Sequence, residues 1–252
     1  MIPSDSRPWP LPSNRPWVIS MEWRNLLFAH WPVEAEAIRN LIPKGLELEL
    51  FDGKAWIGIV PFEMTGVRPR VCPRVSYFSD FPELHVRTYV TKDGKPGVWF
   101  FSLDAGSKFA VRVARATFNL PYFDADFEIK KEQNGIIYCS NRTHRDSPEA
   151  IMEVSYSPCG EIFRSSPGSF EHWLTARYCL YTANKGGQIF RGEIHHKPWP
   201  LQAAKAEFKT CDMTRICGIE LKDKPVNLLY SDYLEVKAWA LESLAHSRQA
   251  PI

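Results

Sequence analysis

The sequence has no apolar run approaching the roughly 20 residues needed to cross a bilayer, so no transmembrane helix is expected. Its opening residues, MIPSDSRPWPLPSNRPW, lack the apolar core of a secretory signal, and the expected location is cytoplasmic. A charge excess is missing too: 31 Lys+Arg against 29 Asp+Glu leave a net charge of +2. That balance argues against nucleic acid and anionic membrane as partners. The six cysteines, Cys72, Cys139, Cys159, Cys179, Cys211 and Cys217, form no C-x-x-C pair and no zinc spacing, so free thiols in a reducing compartment are expected. Ser102 lies outside any G-x-S-x-G elbow, and Gly186-Gly187 lacks the spacing of a phosphate loop. His195 and His196 suggest a metal at first. Neighbours on a strand point to opposite faces, however, and no further ligand stands at a suitable spacing. The expectation is therefore no metal and no cofactor.

What is present suits a sizeable core: 252 residues, 44% apolar and 13% aromatic, with nine Trp. Proline makes residues 1–19 an extended arm, and 20–252 reads as one domain without repeats or linkers. Strand patterns dominate. WRNLLFAHW (23–31) is followed by a short helix in VEAEAIRNLIP, where Ala35, Ile38, Leu41 and Ile42 share a face. LELELF (46–51) and KAWIGIVPF (54–62) flank Asp52-Gly53, a hairpin turn. A second Asp-Gly precedes VWFFSLD (98–104), and Gln133-Asn134-Gly135 separates DADFEIKKE from IIYCSNRT. IMEVSYSP (151–158), 188–197 and YLEVKAWALES (233–243) also read as strands. Residues 107–118 predict a helix with Ser107 at its N-cap, and 167–182 a capped helix ending as a strand. Asp104 is expected to cap that first helix or its loop. The pattern predicts a mainly β protein with a few helices: one antiparallel sheet system, closed or nearly closed.

The stretch FPELHVRTYV (81–90) is the most informative. As a strand it sets Glu83, His85, Arg87 and Tyr89 on one face and Leu84, Val86, Thr88 and Val90 on the other. The polar row faces either water or a cavity. His30, at the end of the first strand, is either a hydrogen-bonded structural residue or an acid–base group. Arg177, Tyr178 and Tyr181 are open between a pocket mouth and the surface.

LLFAHWPVEAEAIRNLIPKGLELELFDGKAWIGIVPF, the ELHVRTYV strand, PGVWFFSLDA, the Leu120-Pro121-Tyr122 turn, LTARYCLY and IHHKPWPL together resemble the YqjF-like uncharacterised family. That family looks like a distant branch of the acetoacetate decarboxylase superfamily, and the resemblance spans roughly residues 20–241. It implies a closed antiparallel β-barrel with an internal cavity, into which Glu83, His85, Arg87 and Tyr89 would point. In the superfamily a lysine after a Pro-containing turn forms a Schiff base with a keto acid, helped by a glutamate on a central strand. Glu83 matches the glutamate. The turn here carries Tyr122 instead, and no lysine lies between Lys108 and Lys130. A phenol can hydrogen-bond or donate a proton but cannot form an imine.

The resemblance therefore implies a small carbonyl or carboxylate ligand in a barrel cavity. Glu83 and Tyr122 are the candidate catalytic groups for metal-free acid–base chemistry, and Arg87, His85, Tyr89 and His30 the candidate ligand-binding residues. A non-catalytic binding or sensing protein, and a lyase recruiting a lysine from elsewhere, are the alternatives. A homo-oligomer is compatible with either.

Overall fold

The computed structural model describes residues 8–73, 79–221 and 223–244. The chain is mainly β. In order it forms β1 (Ile19–Val33), α1 (Ala35–Arg39), β2 (Glu47–Leu48), β3 (Ala55–Pro69), β4 (Phe81–Lys92), β5 (Lys95–Ala105) and α2 (Lys108–Phe118). Then follow β6 (Tyr122–Glu132), β7 (Gly135–Arg142), β8 (Ile151–Phe163), α3 (Phe170–Thr175), β9 (Cys179–Ala183) and β10 (Ile189–His196). The last elements are β11 (Leu201–Cys211), a 3-10 turn at Met213–Cys217, β12 (Asn227–Ala238) and β13 (Glu242–Ser243).

Turn chemistry sets the hairpins. Asp52 and Gly53 both take positive φ, as do Asp93 and Gly94, the combination that matches the twist of the flanking strands. α2 begins where its sequence says: the Ser107 hydroxyl accepts from Ala110 N at 3.3 Å. It ends at Asn119, in the left-handed conformation at φ 49°. α1 is shorter than its apolar spacing predicts and stops at Arg39; Leu41 is left at the surface. Asp104 does not cap α2. It is buried beneath Arg142, whose Nε and Nη2 donate to its two oxygens at 2.8 and 2.7 Å.

The thirteen strands form one sheet whose pairings return on themselves. One circuit runs β12–β1–β3–β4–β5–β9–β10 and back to β12. A second leaves β5 through β6, β7, β8 and β11 and rejoins β12. The strands β1, β3, β4, β5 and β12 are common to both circuits, so their two faces pack into different interiors. Phe28, Phe62, Leu103 and Trp199 fill one side; Leu27, Ile57, Leu84 and Tyr138 fill the other. The all-antiparallel expectation is corrected at two places. β5 pairs in parallel with β6 and with β9. The α2 crossover returns the chain to the end of β5 from which β6 must run the same way.

Register shifts in β1, β3 and β5 keep the apolar side chains on the correct face. Asn25, at φ 52°, sits in a shift between Arg24 and Ala29, after which Leu26, Phe28 and His30 take over the face held by Trp23. Gly66, at φ 62°, lies in a second shift opposite Ser20–Glu22 and re-aims Val67. Phe101 is the extra residue of β5 where Ser102 pairs with Val86 and Phe100 with Arg87. Without these bulges each strand would turn its inward set outward.

Candidate functional site

β4 crosses between β3 and β5, with Glu83 opposite Phe62 and Ala105, and Arg87 opposite Gly58 and Phe100. Its period-two pattern therefore projects Glu83, His85 and Arg87 into a cavity of about 520 Å³. Leu84 and Val86 point to the opposite interior. The cavity is lined mainly by Met21, Trp23, Val60, Phe62, Met64, Phe100, Leu103 and Trp199, together with Ala110, Val113, Ala114 and Phe118 of α2. The helix thus forms part of the cavity wall.

Glu83 is 1% exposed. A carboxylate so placed must be hydrogen-bonded, because its hydration is lost. His85 Nε2 lies 2.7 Å from Oε2 and Tyr122 donates to Oε1 and Oε2 at 3.2 and 3.3 Å. Tyr138, from the other interior, donates to the Glu83 carbonyl oxygen at 2.7 Å and fixes the strand at that level. The His85 ring stands edge-on to Phe62 and Phe100, with centroids 4.7 and 5.0 Å away. His85 lines the cavity, and with Nε2–H given to the Glu83 carboxylate, Nδ1 is its second ring nitrogen.

Tyr122 opens β6 directly after Pro121, whose carbonyl accepts from Leu103 N at 3.0 Å. Arg115 Nη1 donates to the Tyr122 carbonyl at 2.6 Å and ties α2 to the same turn. Burial first, then the Glu83 charge and its hydrogen bond, hold the Tyr122 phenol well above its usual range. It therefore keeps its proton and serves as a donor.

Among the described residues two arginines line the cavity, and their surroundings differ. Arg177 is neutralised by Glu49, which accepts from Nη1 and Nη2 at 2.5 and 3.3 Å, and its Nε donates to Trp173 O at 2.6 Å. Arg87 has no carboxylate partner among the described residues. Its Nη2 reaches the Tyr89 hydroxyl only at 3.5 Å, and its Nε is buried without an acceptor. Its guanidinium lies 5.3 Å from the Phe28 ring centroid and 5.7 Å from that of Tyr89.

Tyr89 and His30 do not line the cavity; they stand behind Arg87. Their side chains bond to each other at 2.7 Å, and both are fully buried. Burial first, then the Arg87 charge, push the His30 imidazole well below its usual range, so it is neutral. A Cβ on Gly58 would meet His30 Nε2 at 3.1 Å and Arg87 Cγ at 3.4 Å, so glycine there permits both side chains to pack against the strand.

Of the remaining candidates, His196 lines the cavity and His195 does not. His196 stacks on Tyr178 with centroids 4.7 Å apart, and its Nδ1 lies 2.8 Å from Lys197 O. Tyr181 is fully buried and donates to Lys95 O at 2.8 Å. Among the described residues no lysine lines the cavity, and no group of three or more His, Cys, Asp or Glu could hold a metal ion. Sequence reasoning missed the Asp104–Arg142 pair. Its signal was Arg142 completing the buried row Ile136, Tyr138, Ser140 on β7.

Residues 20–235 match the DUF2071 family, described as an uncharacterized conserved protein. The uncharacterized protein YqjF of Bacillus subtilis (strain 168) is 41% identical over 225 residues, 89% of this chain and 92% of that one. Among solved structures, an acetoacetate decarboxylase from Legionella pneumophila is similar with a TM-score of 0.63 at 12% identity, covering 96% of this chain and 94% of that one. The enduracididine biosynthesis enzyme MppR, complexed with pyruvate, is similar with a TM-score of 0.59 at 11% identity, covering 92% of each chain. At such identities the likeness is one of fold.

Proposed function

This chain belongs to the DUF2071 family, and from that premise we propose that it binds a small organic acid in its cavity and acts on it by metal-free acid–base chemistry. One observation carries the reading: a buried carboxylate shared by an imidazole and a phenol opens on a cavity whose next polar group, Arg87, has no carboxylate partner among the described residues.

In this reading the sheet circuit is the wall of a barrel, and the ligand sits inside it. Arg87 holds the ligand's carboxylate through charge-assisted hydrogen bonds. Glu83 keeps the Nε2 proton of His85 in place, so Nδ1 takes or returns a proton at the ligand carbon or oxygen. Tyr122 turns its one O–H from Glu83 to the oxygen on which negative charge develops. The pyruvate named with MppR and the keto acid in the decarboxylase's name support an oxygenated acid as ligand. A tyrosine at the start of β6 and the apolar lining favour proton transfer over imine formation.

The experiment is a thermal-shift screen of 2-oxo, 3-oxo and hydroxy acids, followed by product analysis of the ligands found. An acid present at about one hundred times its Kd stabilises by about 2.7 kcal/mol, a shift of about 5–10 °C in a chain of this size. Wild type should respond, and the Glu83→Gln protein should bind without turnover. Borohydride reduction should leave no acid attached. An acid trapped on a lysine, or no stabilisation by any acid, overturns the reading.

A further inference from the structure

The strand register orders the cavity from floor to rim. On β4 and its partner β3 the successive inward levels are Arg87 with Gly58, His85 with Val60, Glu83 with Phe62, and Phe81 with Met64. Beyond them β3 continues to Val67 and Pro69, and β1 to Met21 and Ile19, all of them lining residues. The named polar groups of β4 therefore occupy the inner levels. From Phe62 to Val67 the wall runs outward for about 16 Å at the usual strand rise. The bulge at Gly66 keeps Val67 turned into this outer part. α2 closes its other side with Ala110, Ala114 and Phe118, and with Val113, which is 41% exposed. An acid the size of pyruvate would fill the inner levels and leave this apolar vestibule in contact with water only.

We infer that the ligand is an amphipathic acid, and this rests on the reading of Arg87 and the Glu83 group given above. Its carboxylate meets Arg87. Its oxygen-bearing carbons lie beside His85, Glu83 and Tyr122. An apolar tail of about ten carbons, or the ring system of equal length, extends between β1, β3 and α2 toward Val113. Charge sits at one end of the site and apolar wall at the other, so an acyl or aryl oxo acid matches it along its whole length. Among the described residues no other arginine or lysine of the cavity competes for the carboxylate, because Arg177 is bound to Glu49.

The test is calorimetric titration of the intact chain with straight-chain 2-oxo acids, from pyruvate to about fourteen carbons. Each added methylene buried should tighten binding by about fourfold, with a levelling near ten to twelve carbons and one molecule bound per chain. The Val113→Glu protein, altered at the exposed rim, should bind long acids tenfold or more weakly and pyruvate unchanged. Val67→Asp should give the same pattern from the facing strand. Pyruvate bound as tightly as the long acids, with loss in the Arg87→Met protein, overturns the tail and leaves the acid site standing. Length-dependent binding indifferent to both rim changes overturns the vestibule route. Binding of no acid at any length overturns the acid site and the tail together.

Discussion

Replacing Arg87 by methionine should make the protein more stable and less able to bind acids. The guanidinium is half-buried, and its Nε donor has no acceptor among the described residues. An unmet donor of this kind costs about 1–3 kcal/mol, and the partly desolvated charge adds to that. Against it stand the contacts with Phe28 and Tyr89, at 5.3 and 5.7 Å, each contributing about 0.5–1 kcal/mol. The 3.5 Å approach to the Tyr89 hydroxyl contributes little. Methionine keeps an aliphatic stem against Gly58 and leaves no unmet donor. The balance is a gain of about 1–2 kcal/mol, or a rise in Tm of about 2–8 °C for a chain of this length. Removing a charge-assisted contact should meanwhile weaken acid binding by about 1.5–3 kcal/mol, roughly 10- to 150-fold. Calorimetric unfolding of both proteins without ligand, then titration with the best acid, measures the two effects. A fall in Tm would refute the reasoning, since it would mean that Arg87 is already satisfied in the empty protein.

Tyr122→Phe keeps the ring and removes the donor to Glu83; long bonds of 3.2 and 3.3 Å predict a loss of only about 1 kcal/mol in stability, read as Cm at unchanged m. His30 gives a pH dependence. Its folded pKa is depressed, so its share of stability is complete above about pH 6.5 and is lost as pH falls below that value, by up to about 1.4 kcal/mol per pH unit. His30→Asn should flatten the decline between about pH 6.5 and 5, and an unchanged slope would contradict a neutral buried imidazole. Arg142→Met strands Asp104, which is wholly buried, and should cost about 3–5 kcal/mol in urea unfolding, whereas adding Asp104→Asn should recover much of that loss.

The hairpins were legible because their turns demand particular residues: Asp-Gly at 52–53 and 93–94 fixes both position and register. The direction of Glu83, His85 and Arg87 was legible for the same local reason, since strand parity needs no knowledge of the rest of the chain. β3 was not readable past Phe62. Its continuation Glu-Met-Thr-Gly-Val-Arg-Pro breaks alternation at the Gly66 bulge, and a pattern rule stops where the alternation stops. β11 escaped notice because Ala203, Ala204 and Ala206 give no apolar contrast along Leu201–Cys211. β12 begins at Asn227, six residues ahead of its obvious Tyr233–Ala238 stretch. Within the site, Tyr122 could be placed by its proline turn, whereas the neutralisation of Arg177 by Glu49 joins residues 128 apart in sequence. Nothing local signals such a contact.

The bulge at Asn25 makes the length of β1 a quantity with the logic of a reading frame. Its Nδ2 donates to Glu63 at 2.6 Å, its carbonyl accepts from Tyr156 at 2.6 Å, and its Oδ1 accepts from Tyr230 at 2.9 Å. Side chains of β3, β8 and β12 therefore hold the residue at which β1 slips its register against β3. Deleting it, or inserting one beside it, would carry Leu26, Phe28 and His30 through the wall into the other interior and bring Leu27 and Ala29 onto the cavity side. Substitutions along β1 are graded injuries that a lineage can accumulate. A single-codon gain or loss there is all-or-none, and only a second one further along the same strand would restore the sense of what lies between.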